Sequence, residues 1–354
     1  MGEKVLMKGN EAIGEAAIRA GCHFYFGYPI TPQSEITAYM AKKLLKMKNA
    51  SFVQAESELA AISMVYGAAA TGVRSMTSSS GPGISLKQEG ISYIACAELP
   101  CVIVNMQRGG PGLGSIQPGQ ADYFQATKGG GHGDYHLIVL APSSVQELVD
   151  LTMDAFDLAD KYTNPAMILG DGLIGQMMEA VEFKERKKID LPDKEGWILT
   201  GCKGREKKYI VPFNMDPYEM EKLNFKIQEK YNKLKEKEVR YETVNLDNAD
   251  LIIVAYGIVA RIAKTVIRNA KKEGINIGLI RPITLFPFPE KIIAETSEKV
   301  NKFLVVEMSM GQMVEDVKLA VNGKVEVNFY GRVGGVIPTQ SEILTEIKEI
   351  FKID

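Results

Sequence analysis

Residues 23–47, HFYFGYPITPQSEITAYMAKKLLKM, hold the pattern that decides the fold. A short apolar run at 23–29 ends in a Pro-Ile-Thr-Pro turn, and a helical pattern follows at 35–47. The next stretch repeats the alternation, with SFVQ at 51–54 and SELAAISMVYGAAA at 57–70. Further outward, CVIVNM (101–106), LIVLA (137–141) and AMIL (166–169) read as strands. SSVQELVDLTMDAFDLADKY (143–162) reads as a helix, opened by a Ser-Ser cap after Pro142 with Glu147 in its first turn. Continuous apolar strands joined by helices predict an α/β domain over residues 1–180, its mainly parallel sheet covered on both faces.

The alternation stops at 181 and resumes at about 249. Residues 181–240 carry 28 charged residues, against 58 in the other 294, so 181–248 reads as a solvated connector ending in a charged amphipathic helix. LIIVAYG (251–257), INIGLI (275–280), KFLVVE (302–307) and VEVNFYG (325–331) then read as strands. VARIAKTVIRNAKKEG (259–274) and TQSEILTEIKEIF (339–351) read as helices. These make a second, smaller α/β domain over 249–354.

Composition excludes several classes. A net charge of −2 over 354 residues argues against a nucleic-acid protein, since phosphate binding needs a clustered basic surface. No apolar run approaches the ~20 residues that span a bilayer. The start, MGEKVLMKGNEAIGEAA, lacks the apolar core of a secretory signal, and MGEKVL lacks the hydroxyl residue a myristoylation signal needs. A cytoplasmic protein is expected. Cys22, Cys96, Cys101 and Cys202 form no Cys-x-x-Cys, which argues against an iron–sulfur or zinc cluster held by this chain. His132 and His136 are four apart, but Gly129–Gly131 and Gly133 disfavour the helix that would make that spacing a metal site.

Four stretches could carry chemistry. In Tyr28-Pro29-Ile30-Thr31-Pro32 the prolines hold the chain extended and present the Thr31 hydroxyl at the carboxyl end of a strand, where open α/β sheets bind ligands. A plain helix start, with Thr31 capping and Pro32 first in the helix, is the alternative. In Gln54-Ala55-Glu56-Ser57-Glu58 two carboxylates lie at a strand-to-helix junction, and Glu58 heads a nearly uncharged helix. A helix apolar on most sides is a buried one, and a carboxylate at its head needs a dedicated partner; ordinary N-terminal helix chemistry is the alternative. Thr77-Ser78-Ser79-Ser80-Gly81-Pro82-Gly83 reads as a loop after a strand, either a tight turn or a pocket wall. Arg108 leaves the CVIVNMQ strand into a segment where nine of the 26 residues at 108–133 are glycine. A guanidinium there suits a bidentate grip on a carboxylate, and the spacing matches no phosphate-binding fingerprint. Gly170-Asp171-Gly172 opens like a diphosphate–metal motif, but no Asn-Asn follows near 194–200, so Asp171 reads as an ordinary end-of-strand residue.

Together, FGYPITPQSE, FVQAESELAAISMVYGAAATG, MTSSSGPGISLKQEGISYI, the RGGPGLGSIQPGQADYFQATKGGGHGDYH stretch, VEMSMGQ and YGRVGG resemble the α-type subunit of 2-oxoacid:ferredoxin oxidoreductases, the branched-chain (2-oxoisovalerate) type above all. The resemblance covers 5–180 and 249–350. It implies a thiamine-diphosphate domain of the pyrimidine-binding type plus a transketolase-C-terminal-like domain. Magnesium with the diphosphate-binding domain, and the iron–sulfur clusters, would lie on companion subunits, with a further small subunit in the complex. Glu58 would face the aminopyrimidine of thiamine diphosphate. Thr31 and Arg108 would act on the oxoacid, with Tyr28, Pro29, Ile30 and Gly81 as further cofactor contacts and no metal ligand in this chain. The reaction implied is oxidative decarboxylation of 2-oxoisovalerate to acyl-CoA and CO2, with electrons passed to ferredoxin. A 2-oxoglutarate enzyme shares these motifs and is the alternative substrate reading. A non-catalytic assembly subunit conflicts with the joint presence of Thr31, Glu58 and Arg108. A flavin- or nucleotide-binding carrier would need a phosphate fingerprint.

Overall fold

The computed structural model describes residues 4–186 and 189–353; Met1–Glu3 of the start read above, Lys187 and Lys188 of the connector, and Asp354 lie outside the described residues. In chain order the first part runs β1 (Lys4–Lys8), α1 (Gly9–Arg19), β2 (Phe24–Gly27), α2 (Ser34–Leu44), β3 (Ser51–Gln54), α3 (Glu58–Ala70), β4 (Ser75–Ser79) and α4 (Pro82–Cys96). It continues with β5 (Val102–Gln107), α5 (Tyr123–Thr127), β6 (Ile138–Leu140), α6 (Val145–Tyr162), β7 (Ala166–Asp171), α7 (Gly172–Gln176) and β8 (Met178–Glu182). After a long irregular stretch come α8 (Pro217–Lys237), β9 (Tyr241–Val244), β10 (Leu251–Val254), α9 (Gly257–Lys272), β11 (Ile277–Pro282) and β12 (Thr284–Phe286). The chain closes with α10 (Glu290–Ser297), β13 (Lys302–Glu307), α11 (Met313–Val321), β14 (Glu326–Gly331) and α12 (Gln340–Phe351).

Two parallel-dominated sheets carry the fold, as the strand–helix alternation predicts. The first has strand order β12-β6-β7-β5-β4-β2-β3 and the second β14-β13-β10-β11-β9. The central strands β5 and β7 are buried along their whole length, which is why their sequences are near-continuous apolar runs. Helix ends follow their caps. Ser144 accepts the Glu147 N–H at the head of α6, and Thr339 with Glu342 forms a capping box at the head of α12. No helix among the described residues is long and apolar enough to cross a membrane.

The structure departs from the sequence reading in three places. SMTSS is not loop but strand β4, paired in parallel with β2 and β5. Of its buried hydroxyls, that of Ser78 lies 2.6 Å from Tyr25 Oη and donates to Gln33 Oε1 at 2.5 Å, whereas those of Ser75, Thr77 and Ser79 have no partner among the described residues. Helix α3 is not buried all round: Leu59 is about half exposed, and Ser63 and Gly67 face solvent. The connector is not wholly solvated either. Helix α8 starts at a cap in which Asp216 accepts the Tyr218 N–H, and it buries Ile227, Tyr231 and Leu234. Lys226 and Lys230 of α8 pair with Glu98, and β9 forms an antiparallel edge of the second sheet.

The two sheets are stitched together. β11 belongs to the second, and after Ile283 the chain enters β12, which pairs antiparallel with β6 of the first. Arg281, buried on β11, grips both carboxylate oxygens of Glu147 on α6 at 2.7 and 2.8 Å.

Candidate active site

Four neighbouring strands of the first sheet, β5-β4-β2-β3, point their carboxyl ends the same way. The loops that leave those ends are the 28–33 turn, the Ala55–Ser57 junction, Ser80–Gly81 and the Arg108 loop. The sheet order therefore brings together stretches scattered over 80 residues of sequence.

The 28–33 turn is braced from below. Gln33 Nε2 donates to the Tyr28 carbonyl at 3.3 Å, and Asn10 Nδ2 donates to the Pro32 carbonyl at 2.7 Å. Tyr28, Pro29 and Thr31 stay exposed above it. Of the two readings of this turn, the helix start does not form as expected: Gln33 is the residue before α2 and Ser34 is its first, so neither Thr31 nor Pro32 takes the predicted cap position.

Ser57 caps α3 by accepting the Ala60 N–H at 3.2 Å, which places Glu58 first in the helix. Glu58 is only 6% exposed whereas Glu56 is exposed, so Glu58 is the carboxylate set into the site. Among the described residues its carboxylate accepts no hydrogen bond. Gly83, in the first turn of α4, makes room for it: a Cβ there would lie 2.6 Å from Glu58 Oε1 and 2.2 Å from Ser79 Oγ. Ser79 Oγ and Ser80 Oγ are buried without a partner. Gly81, at φ +46°, precedes the Pro82 that opens α4, and a Cβ on it would meet Arg108 Nε at 3.3 Å.

Arg108 is buried at the end of β5. Its Nη1 donates to the Thr31 carbonyl at 2.9 Å and its Nη2 to the Leu113 carbonyl at 2.7 Å, while Nε has no partner. With Asp122, Gly81, Pro82 and the 109–113 loop it lines a cavity of about 340 Å³. Burial raises the Asp122 carboxyl above its ordinary range, against a hydrogen bond from Asn105 and the Arg108 charge. The sequence reading places Gly83 in a turn or pocket wall without tying it to Glu58, and it does not mark Asp122 or Asn105. Asp122 lies in the quoted glycine-rich stretch, and a glycine four residues before a lysine in an apolar helix was the available signal at α4.

The second sheet supports this face. Ser115 Oγ donates to the Gly334 carbonyl at 3.0 Å, so the Arg108 loop packs on the YGRVGG stretch. In VEMSMGQ, Glu307 accepts the Met313 and Val314 N–H groups at the head of α11, and Gln312 Nε2 donates to the Ala121 carbonyl at 2.7 Å. Asp171 proves more than an end-of-strand residue. It accepts the Ile174 N–H at 3.0 Å and the Ile258 N–H at 2.9 Å, tying β7 to the head of α9, and burial pushes it up to about 6. His136 stands apart from the site, stacked on Phe286 with ring centres 4.1 Å apart.

A family model described as pyruvate flavodoxin/ferredoxin oxidoreductase, thiamine diphosphate-binding, matches residues 15–245, and the pyruvate:ferredoxin oxidoreductase core domain II matches 249–343. The chain belongs to this oxidoreductase family. A ketoisovalerate oxidoreductase subunit, VorB, of Methanothermobacter marburgensis is 53% identical over 98% of this chain and 97% of its own length. A 2-oxoglutarate synthase subunit, KorA, of the same organism is 39% identical over 98% of this chain and 99% of its own. Among solved structures, 2-oxoglutarate:ferredoxin oxidoreductase from Magnetococcus marinus superposes with a TM-score of 0.88 at 27% identity. It covers 98% of this oxidoreductase chain, which spans 65% of that one. A split-gene transketolase, at 14% identity and a TM-score of 0.61, shares the fold.

Proposed function

We propose that the chain is the aminopyrimidine-holding subunit of a 2-oxoacid:ferredoxin oxidoreductase. Its reaction is oxidative decarboxylation of a branched-chain 2-oxoacid, 2-oxoisovalerate, to acyl-CoA and CO2, with two electrons leaving singly to ferredoxin. The observation that carries this reading is Glu58: a buried carboxylate without a donor, at the head of α3, in the cradle left by Gly83. Such a carboxyl group fits a ligand whose ring nitrogen can share a proton with it, as that of an aminopyrimidine can. Bound thiamine diphosphate supplies the carbon nucleophile and electron sink that the decarboxylation requires. Glu58 would hold the proton shared with the ring nitrogen, and Tyr28, Pro29, Ile30 and Gly81 would wall the ring.

Thr31 and Arg108 would meet the oxoacid. Binding a carboxylate at Arg108 means exchanging the Thr31 or Leu113 carbonyl for the substrate, and its partnerless Nε already faces Gly81. Asp171, with both oxygens on main-chain N–H groups, is committed to joining the domains. Magnesium with the diphosphate end, and the iron–sulfur clusters, belong in this reading to companion subunits, with a further small subunit beside them in a cytoplasmic complex. Residues 1–180 would be the pyrimidine-type unit, 181–248 the connector and 249–354 the transketolase-C-like unit. The higher identity to a ketoisovalerate subunit than to a 2-oxoglutarate subunit supports the branched-chain substrate.

The test is reconstitution. The chain, alone and co-expressed with a diphosphate-motif subunit and a cluster-bearing subunit, is assayed with 2-oxoisovalerate and with 2-oxoglutarate, CoA and ferredoxin. Activity confined to the complex, with 2-oxoisovalerate preferred in kcat/KM, is expected. Decarboxylation by the isolated chain would overturn the subunit reading, and preference for 2-oxoglutarate the substrate reading.

A further inference from the structure

Lys87 lies on α4, one helical turn after Gly83, and is fully buried. Its Nζ donates to the Glu58 carbonyl at 3.3 Å, and no other hydrogen bond or ion pair holds it among the described residues. An ammonium carries three N–H donors, so two remain unmatched. Removing a cation from water without an ion pair is costly, and so long a side chain could ordinarily extend to solvent. Gly83 and Lys87, four apart, share the face of α4 that meets the head of α3. Gly83 gives the Glu58 carboxylate its space, and one turn further on Lys87 holds the Glu58 main chain.

We propose that Lys87 is a positioning residue for Glu58, anchoring the first turn of α3 through its main chain so that the carboxyl group stands where a ring nitrogen would meet it. The inference deepens the reading of Glu58 given above and rests on it. The charged groups around Lys87 are few. Glu58 faces it from α3. Beyond Gly81 stand Arg108 and Asp122 at the β5 end. Glu89, on its own helix, is exposed and bonded to Tyr93. Strand β4 carries only serine, threonine and methionine. Burial pushes the Lys87 ammonium down to about 8, with Glu58 opposing the fall. Its charge, and the charge-assisted bond to the Glu58 carbonyl, therefore fade at mildly alkaline pH.

The experiment measures thiamine diphosphate affinity and kcat/KM against pH in the assembled complex, for wild type, Lys87→Met, Lys87→Arg and Glu58→Gln, with a melting temperature for each. Lys87→Met, which cannot donate to the Glu58 carbonyl, should weaken thiamine diphosphate binding roughly tenfold at neutral pH and abolish the alkaline limb. Lys87→Arg, which keeps a charged donor, should retain wild-type affinity at neutral pH and remove the wild-type alkaline limb near pH 8. Superimposable profiles in wild type and folded Lys87→Met overturn the proposal, as does an equal loss of affinity at neutral pH in folded Lys87→Arg. Glu58→Gln separates the two readings: unchanged affinity and turnover there overturn the role of Glu58 itself. Loss in Glu58→Gln with no profile change in Lys87→Met overturns only that of Lys87. If neither Lys87 variant assembles, wild-type affinity that is flat from about pH 7 to about 9 overturns the proposal, and an alkaline fall supports it.

Discussion

The Arg108 guanidinium commits two N–H groups to its own chain, at Thr31 and Leu113, and keeps a third without a partner beside Gly81. Lysine cannot reproduce a planar fork, so Arg108→Lys loses at least one of these geometries. A hydrogen bond to a charged group contributes ~1.5–3 kcal/mol, so kcat/KM for the oxoacid should fall ~10–100-fold in the complex. If Arg108 receives the substrate carboxylate, thiamine diphosphate affinity holds while oxoacid kinetics decline. If it only braces the turn and the glycine-rich loop, affinity and melting temperature fall together. Kinetics, cofactor titration and melting on one variant distinguish these. At this scale the sequence was informative about type more than about bonding. A carboxylate at the head of an apolar helix marked Glu58, but nothing in the string separates an arginine bound to carbonyls from one left free. Lys87 was illegible for a related reason: a lysine in a helix normally reads as solvated, and only the close approach of α3 and α4 buries it.

Between elements, the separation of α3 and α4 at their heads is set by Gly83. Alanine there places a methyl against Ser79 Oγ and Glu58 Oε1, both ends of side chains that can swing aside. Helix propensity favours alanine over glycine by ~1 kcal/mol, which offsets the crowding. Gly83→Ala should therefore melt close to wild type yet bind thiamine diphosphate at least ~10-fold more weakly, because a displacement near 1 Å at a reacting group can cost ~10²-fold. Unchanged affinity in the folded variant would show that the Glu58 position is not set by this glycine. Elements with strong periodicity, such as α6 and β13, were legible to within a residue or two. β4 was not, because its sequence is polar and the Tyr25 and Gln33 side chains that meet Ser78 are reported by no local pattern. β12 was missed because three residues pair with a strand far back in the chain.

For the whole molecule, Arg281 and Glu147 join the second sheet to α6, with Ser143 and Glu242 completing the shell. Burial disfavours the Glu147 charge, but the bonds and charge of Arg281, with Ser143, hold its carboxyl below the ordinary 4.5. A folded-state value below the unfolded one means the contribution is complete above about pH 4.5 and fades as pH falls through the depressed value. Arg281→Leu should cost ~3 kcal/mol at neutral pH, the low end for unpairing a buried ion, since Glu147 stays partly solvated. Urea melts of both proteins across pH should converge as the pH drops below that window. A constant difference would mean that Arg281 acts by packing alone.

The return of β12 to the first sheet has a consequence on the ribosome. Until residue 286 has left the exit tunnel, β6 offers an unpaired edge of backbone donors and acceptors, the template for misassembly with a neighbouring nascent chain. The roughly 140 residues between those strands take on the order of 10 s at ~5–20 residues per second. A strong translational pause placed inside that interval, by rare codons after the β7 segment, should lower the soluble yield of the chain. The same pause placed after the β12 codons should leave it unchanged.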